Sequence, residues 1–183
     1  PGTVAADDPQ LTTRKVAGPH PLRVVLDASR RLGQTFRIFE DTTADTIYVT
    51  TDRNRQPGET HVGRAPIITV PEANGGLDLA AVVRMLRERG CTRIFVEGGG
   101  VTVSLFLEAD LLDRLQVAIA PLIIGSGRPA IRLPGRPTLS DCRRPRYRVF
   151  RMGGDVFFDC DLRVRGDGPE DGSEALPPVI RMI

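Results

Sequence analysis

The sequence predicts an α/β fold in which a mixed, mostly parallel sheet is flanked by helices and ends in an antiparallel hairpin. Three observations predict it. Short apolar runs rich in β-branched residues alternate with an amphipathic helix in the first half of the chain. A strand-like run leads through Gly98, Gly99 and Gly100 into a helical stretch, a unit typical of parallel sheets. Late in the chain, two apolar runs flank the turn-forming pair Gly153 and Gly154, which indicates a hairpin.

The first elements are predicted from their apolar period and from the turn residues around them. Four buried strands are expected, at residues 22–27, 46–50, 66–70 and 93–96. A helix is expected over residues 78–90, because apolar residues recur there at a spacing of three and four. Asp78 is placed to cap its N-terminus and Gly90 to end it.

The later elements follow from the same criteria. We expect a helix over 101–109, a strand within 112–124, and hairpin strands over 147–152 and 156–162. Residues 1–163 are then expected to form one domain. Residues 164–175, rich in glycine and acidic residues, are expected to form a flexible linker, and residues 176–183 a strand-like tail.

Composition excludes several classes of function. The chain has 183 residues and a formal net charge of +2, which is too small and too scattered to indicate a nucleic-acid surface. Its positive charge is nearly all arginine, which suits an anionic small molecule. The three cysteines lack the spacing of a disulfide framework or a zinc site, which favours a cytoplasmic protein. No run of residues predicts a membrane span or a secretion signal.

The glycine turn is the strongest local feature. Glycines let a ligand approach the backbone, and the following helix N-terminus offers N–H donors and a positive dipole end, so the stretch from Glu97 to Gly100 suits a phosphate. It is neither a dinucleotide fingerprint nor a P-loop, and a purely structural turn is an equal alternative. Thr102 and Ser104 add hydroxyls in the first turn of the helix.

Residues 7–14 form a second dense polar segment, with two carboxylates, a proline and an arginine; a solvated turn is the alternative interpretation. His20 and His61 lack partners at a metal-ligand spacing, so no metal is predicted. No serine or cysteine with a recognisable base predicts nucleophilic catalysis, and no catalytic residue is assigned.

Taken together, four segments resemble one family. They are GTVAADDPQLTTR (2–14), PLRVVLD (21–27), IFVEGGG (94–100) and LDRLQVAIAPLIIGSG (112–127). In this order they resemble the riboflavin-biosynthesis pyrimidine reductases, the C-terminal reductase domain of a bifunctional deaminase/reductase. The resemblance implies a dihydrofolate-reductase-like fold and a homodimer. It also implies NADPH-dependent reduction of 5-amino-6-(5-phosphoribosylamino)uracil, or of its 2,5-diamino precursor, to the ribitylamino product.

The same resemblance implies the residues of the site. Leu11, Arg14 and Glu97 would contact the substrate, and Arg14 would grip its 5′-phosphate through a bidentate fork. The cofactor would be contacted by two residues near the N-terminus and by the glycine turn with its helix: Thr3, Asp7, Gly99, Gly100, Val101, Thr102, Val103, Ser104 and Leu105.

Two departures from the family pattern leave alternatives open. Many relatives have Asp-Ser where this chain has Asp27 and Ala28, so Ser29 would have to supply the hydroxyl. The family's first strand and helix would precede Gly2. The tail could replace that strand, in its own subunit or a neighbour's, or it could begin a second copy of the domain. A dihydrofolate or natural-product reductase, or a non-catalytic nucleotide-binding module, are the competing functions.

Overall fold

The computed structural model describes residues 1–165 of the chain. The chain divides into two compact units, Pro1–Val103 and Ser104–Ile183. The boundary falls inside the helix that follows the glycine turn, within the range expected to form one domain. The expected tail, and all of the expected linker beyond residue 165, lie outside the described residues.

The first unit is built on a four-stranded sheet with a parallel centre. Its elements in chain order are α1 (Gly2–Asp7), β1 (Arg23–Leu26), α2 (Arg37–Glu40), β2 (Thr46–Thr51), β3 (His61–Val62), β4 (Ala65–Val70), β5 (Glu72–Ala73), β6 (Gly76–Leu77) and α3 (Leu79–Glu88). The strand order is β1-β2-β4-β3, with β2 parallel to both β1 and β4 and β3 antiparallel to β4. The three predicted strands that became β1, β2 and β4 are confirmed.

Both faces of this sheet are covered, as a parallel sheet requires. Residues alternate between the faces, so Val25 and Tyr48 pack with α1 and α2, whereas Ile47 and Val49 pack with α3. Helix α3 confirms the helix predicted over 78–90. Its N-cap is Asp78, whose carboxylate accepts a hydrogen bond of 3.0 Å from the backbone N–H of Ala81.

The predicted strand at residues 93–96 is wrong. In the part of the chain that the structure describes, this run pairs with no strand, and Phe95 is 77% exposed. β-branched and aromatic residues favour an extended backbone, but a strand also needs a neighbour to accept its hydrogen bonds. Local sequence cannot report whether that neighbour is present.

The second unit contains an antiparallel sheet. Helix α4 (Gly100–Glu108) crosses the boundary and is followed by β7 (Arg114–Ile119), β8 (Pro145–Met152) and β9 (Asp155–Arg165). The order is β7-β9-β8, and β8 and β9 form the predicted hairpin, with Gly153 at φ +65°. Strand β7 ends five residues before the predicted limit of residue 124.

The predicted fold class is confirmed: an α/β fold with a mostly parallel sheet flanked by helices and a late antiparallel hairpin. The described strands lie in three sheets rather than one, and the run at 93–96 belongs to none of them. Within residues 1–165, no helix has the length and apolar character needed to cross a membrane.

Candidate active site

Helix α1 carries the two N-terminal residues expected at the cofactor. Thr3 and Asp7 are four residues apart, so they lie on the same side of the helix, and both are at least partly accessible. The helix packs on the core through Val4, its one buried residue. Among the described residues, the Asp7 carboxylate has no hydrogen-bond or ion-pair partner, so it is available to a ligand.

The segment after α1 contains two residues in the left-handed backbone region. Asp8 has φ +41° and Leu11 has φ +48°. This conformation costs a residue other than glycine roughly 1–2 kcal/mol, and it persists only where neighbouring contacts determine it. Hydrogen bonds to Arg37 and to Arg23 provide such contacts at Asp8 and at Gln10.

Hydrogen bonds that involve side chains hold three residues of the loop at 8–13, namely Asp8, Gln10 and Thr13. The Asp8 carboxylate accepts hydrogen bonds from the backbone N–H and the Nε of Arg37, at 2.8 and 3.0 Å. The carbonyl of Gln10 accepts one from Arg23, at 3.0 Å. The Thr13 hydroxyl donates to the carbonyl of Pro19, also at 3.0 Å. These contacts fix the backbone that leads to Arg14.

Arg23 is the buried anchor of this region. Its guanidinium donates to both oxygens of Asp41, to the carbonyls of Gln10 and Ala44, and to the hydroxyl of Thr46. Every donor of the fork therefore has a partner, which a buried charge requires. The hydrogen bond from Arg23 holds the pKa of Asp41 below its ordinary value.

Arg14, the expected phosphate ligand, lies at the end of this fixed loop. Its side chain is exposed and has no hydrogen-bond or ion-pair partner among residues 1–165. Leu11, the second expected substrate residue, is half-buried and packs against the core cluster around Tyr48. The loop thus combines an anchored apolar residue with a free, permanently charged cation.

The glycine turn lies in the same unit and is open to solvent. Glu97, Gly98 and Gly99 are exposed. A Cβ built on Gly99 would meet nothing within 4 Å, whereas one on Gly98 would lie 3.4 Å from the Cβ of Thr102. The turn therefore leaves room beside Gly99, and Gly98 permits close packing against the first turn of α4.

The expected cofactor residues are divided between the two units. Residues 99–103 belong to the first unit, with Val101 exposed and Thr102 and Val103 partly buried, whereas Ser104 and Leu105 belong to the second. Ser104 is buried, and its hydroxyl accepts a hydrogen bond of 2.7 Å from the backbone N–H of Arg132. Leu105 is exposed.

A buried carboxylate after β1 was not singled out by sequence reasoning. Asp27 accepts hydrogen bonds from the hydroxyl of Tyr48 at 2.6 Å and from the backbone N–H groups of Arg31 and Leu32 at 2.7 and 2.8 Å. Burial, together with Asp27, raises the pKa of Tyr48. These bonds shape the turn that leaves Ser29 exposed. A carboxylate ending an apolar strand is the signal that would have identified it.

The side chains suited to metal binding are dispersed. In the described part of the chain, no group of three or more histidine, cysteine or acidic residues is arranged to hold a metal ion. Cys91, Cys142 and Cys160 are free thiols. Burial, with a contribution from Asp159, raises the pKa of Cys160, which leaves its thiol less readily ionised.

The amino-acid sequence of the chain is similar to those of known proteins. The chain is 31% identical over 169 residues to the riboflavin biosynthesis protein RibD of Escherichia coli, covering 84% of this chain and 45% of that protein. It is 33% identical over 168 residues to the 2,5-diamino-6-ribosylamino-4(3H)-pyrimidinone 5′-phosphate reductase of Methanothermobacter thermautotrophicus, covering 88% and 76%. The chain therefore spans less than half of the Escherichia coli protein and about three quarters of the Methanothermobacter thermautotrophicus reductase.

A solved structure agrees with the fold. The diaminohydroxyphosphoribosylaminopyrimidine deaminase/5-amino-6-(5-phosphoribosylamino)uracil reductase of Thermotoga maritima superposes with a TM-score of 0.66 at 26% identity, covering 88% of this chain and 43% of that one. The family model described as the RibD C-terminal domain matches residues 1–150. The chain belongs to the RibD C-terminal domain family.

Proposed function

We propose that this chain is an NADPH-dependent reductase of riboflavin biosynthesis that converts a phosphoribosylamino-pyrimidine to its ribitylamino counterpart. The relatives' names support this substrate class. One names the 2,5-diamino pyrimidinone and another the deaminated 5-amino uracil, so both compounds are candidate substrates.

The exposed, unpartnered guanidinium of Arg14 carries the proposal. A phosphate ester needs a cation that stays charged at every physiological pH and presents two parallel donors, which describes arginine. Hydrogen bonds already hold the backbone before Arg14, so less conformational entropy is lost when the phosphate binds. Leu11, three residues earlier in the same loop, offers a half-buried apolar surface, and Glu97 offers an exposed acceptor for substrate hydroxyl or amino groups.

The glycine turn suits a pyrophosphate. The space beside Gly99 admits a ligand to the backbone, and the N-terminus of α4 favours negative charge. Thr3 and Asp7 would hold polar groups of the same cofactor from α1. The preference for NADPH is part of the proposal and is supported by the family resemblance.

When bound, NADPH supplies the hydride that reduces C1′ of the ring-opened ribosylamino group. The chain's own contribution is then to orient the substrate: Arg14 holds the phosphate end and Glu97 the polar pyrimidine end. Such alignment lowers the barrier by fixing the reacting carbon before the transfer. This chemistry requires no nucleophilic side chain, consistent with a sequence that predicts none.

A cytoplasmic homodimer belongs to the same proposal. The free thiols of all three cysteines support a reducing compartment, and the family resemblance supports the dimer. Sedimentation equilibrium of the purified chain would give twice the monomer mass if the dimer is correct, and the monomer mass if it is not.

The proposal is tested by following NADPH oxidation at 340 nm with each of the two pyrimidine phosphates. Wild type is compared with Arg14→Ala and with the matched control Arg84→Ala, an exposed arginine on α3, a helix to which no site residue is assigned. We expect Arg14→Ala to lose about 100-fold in kcat/KM, because a charge-assisted bidentate contact is worth about 1.5–3 kcal/mol. Arg84→Ala should behave as wild type.

Three results would contradict the proposal. If Arg14→Ala were as active as wild type, Arg14 would not be the residue that binds the phosphate. Turnover of dihydrofolate in place of either pyrimidine would indicate another reductase on the same fold. Tight NADPH binding with no turnover of any substrate would indicate a non-catalytic nucleotide-binding module.

A further inference from the structure

We infer that Asp8 is a positioning residue of the phosphate site: its carboxylate, bound by Arg37, fixes the loop that carries Arg14. The inference rests on the proposed role of Arg14 in binding phosphate. Asp8 itself need not touch the substrate, since its effect on binding would pass through the loop backbone.

The contact between Asp8 and Arg37 has a defined geometry. One carboxylate oxygen accepts from the backbone N–H of Arg37 at 2.8 Å, and the other accepts from its Nε at 3.0 Å. Arg37 is the first residue of α2, so its backbone N–H has no partner within the helix and a carboxylate is favoured there. Two bonds to two oxygens set the orientation of the carboxylate as well as its distance.

The partner of Asp8 lies in α2, a helix that the core holds in place. Ile38 and Phe39, the next two residues after Arg37, are both fully buried in the first core cluster. Helix α1, in contrast, buries only Val4. The bond from Asp8 to Arg37 therefore ties the end of a lightly packed helix to a segment that the core holds in place.

Asp8 lies at the point where the chain leaves α1 and enters the loop. Asp8 is the C-cap of α1 and adopts φ +41°, and its backbone N–H donates to the carbonyl of Val4 at 3.1 Å. Further along the loop, Gln10 is held by Arg23 and Thr13 by Pro19 and His20. Asp8 is the first of these three ties, and it sets the direction in which the chain leaves α1 toward Arg14.

The test compares Asp8→Ala with Asp8→Asn, Arg37→Ala and the control Glu88→Ala, an exposed carboxylate on α3. Binding of each pyrimidine phosphate is measured calorimetrically without cofactor, so turnover is not needed. We expect Asp8→Ala and Arg37→Ala to weaken binding about tenfold, since a displaced charge loses its alignment with the phosphate. Asp8→Asn, which keeps an acceptor for the Arg37 backbone N–H, should lie between. Melting temperatures should stay close to wild type.

Coupling to Arg14 separates positioning from a general structural role. In an Arg14→Ala background, adding Asp8→Ala should produce no further loss of binding, because the group that Asp8 positions is gone. The inference would be overturned if the losses of binding in the two single variants multiplied in the double variant. It would also be overturned if Asp8→Ala bound the pyrimidine as tightly as wild type.

A second readout does not depend on the substrate. Arg14 and Lys15 are exposed trypsin sites, so release of the loop should speed cleavage there in Asp8→Ala but not in Glu88→Ala. Faster cleavage with a wild-type pyrimidine affinity would show that the tie orders the loop without serving the site, and would overturn the inference. If wild type binds neither pyrimidine, the proposed function fails and the inference fails with it.

Discussion

The two sheets of this protein differ in how their residues are buried. In the first unit, the central strand β2 is buried along its whole length, from Thr46 to Thr51. In the second unit, the described strand residues include one buried side chain, Asp159, and no buried apolar one. Parallel strands need cover on both faces, whereas antiparallel strands tolerate one open face. Stability should therefore reside in the first unit, around the loop that carries Arg14.

The ion pairs follow the same division. The Arg23 side chain is 1% exposed and all its donors are bound, whereas Arg143, paired with Asp110 in the second unit, is 42% exposed. A buried charge that loses its partner lowers the free energy of unfolding strongly. An exposed pair contributes little to that free energy, because solvent and salt screen it. Both pairs join an arginine to an aspartate, but Arg23 is buried with five hydrogen bonds and Arg143 is exposed with one.

The largest effect is expected for Arg23→Met. This change leaves Asp41 and the carbonyls of Gln10 and Ala44 without their donor, and we expect the free energy of unfolding to fall by about 3–5 kcal/mol. Arg143→Met should change it by about 1 kcal/mol or less. Urea denaturation of both variants measures this. Similar losses would contradict the assigned difference in burial.

A matched pair of isoleucines gives the next largest effect. Ile38 in α2 is 0% exposed, and Ile119 in β7 is 53% exposed. Ile38→Ala should cost about 2–5 kcal/mol, because it removes buried methyl groups and leaves a cavity. Ile119→Ala should cost much less by the same denaturation measurement. A larger loss at Ile119 would mean that its face of the sheet is covered in solution.

Acid should destabilise the first unit through two of its carboxyl groups. Hydrogen bonds from Arg23 and Arg30 lower the pKa values of Asp41 and Glu59. A carboxyl whose pKa is lower folded than unfolded stabilises the protein above its unfolded value of about 4, and that contribution is lost as the pH falls below it. Wild type should therefore lose stability below about pH 4. Asp41→Asn should lose less over that interval, as measured by thermal unfolding at several pH values.

The smallest effects concern two hairpin turns, one in each unit. Gly75 has φ +73° and Gly153 has φ +65°, and a Cβ on either would meet nothing within 4 Å. Alanine at either position should therefore cost about 1 kcal/mol, from backbone conformation alone. Gly154→Ala is the control, since Gly154 is equally open but lacks a positive φ. A loss at Gly154 equal to that at Gly153 would contradict the conformational explanation.

Periodic features could be predicted from sequence, and pairings could not. Strands β1, β2 and β4 and helix α3 carry an apolar period that a single sequence displays. The run at 93–96 has the same composition but no neighbour, so the prediction was wrong there. Asn74 and Gly75 form an Asn-Gly turn between β5 and β6, a signal that was present in the sequence and was not used.

The candidate site divides in the same way. The glycine turn was identifiable from its residue types as suited to a phosphate, whereas the roles of Arg14 and Asp7 came from the family resemblance. The bond between Asp8 and Arg37 joins residues 29 positions apart, and that between Arg23 and Asp41 joins residues 18 apart. Such contacts depend on how α2 packs against β1, which composition and period do not encode.

The most direct test of the central claim follows the transferred hydrogen. NADPH deuterated at the reactive nicotinamide position is incubated with the chain and each pyrimidine phosphate, and the product is examined by mass spectrometry and NMR. We predict one deuterium at C1′ of a ribityl group, formed by wild type and Arg84→Ala but about 100-fold more slowly by Arg14→Ala. A product without deuterium, or transfer of deuterium by Arg14→Ala as fast as by wild type, would contradict this prediction.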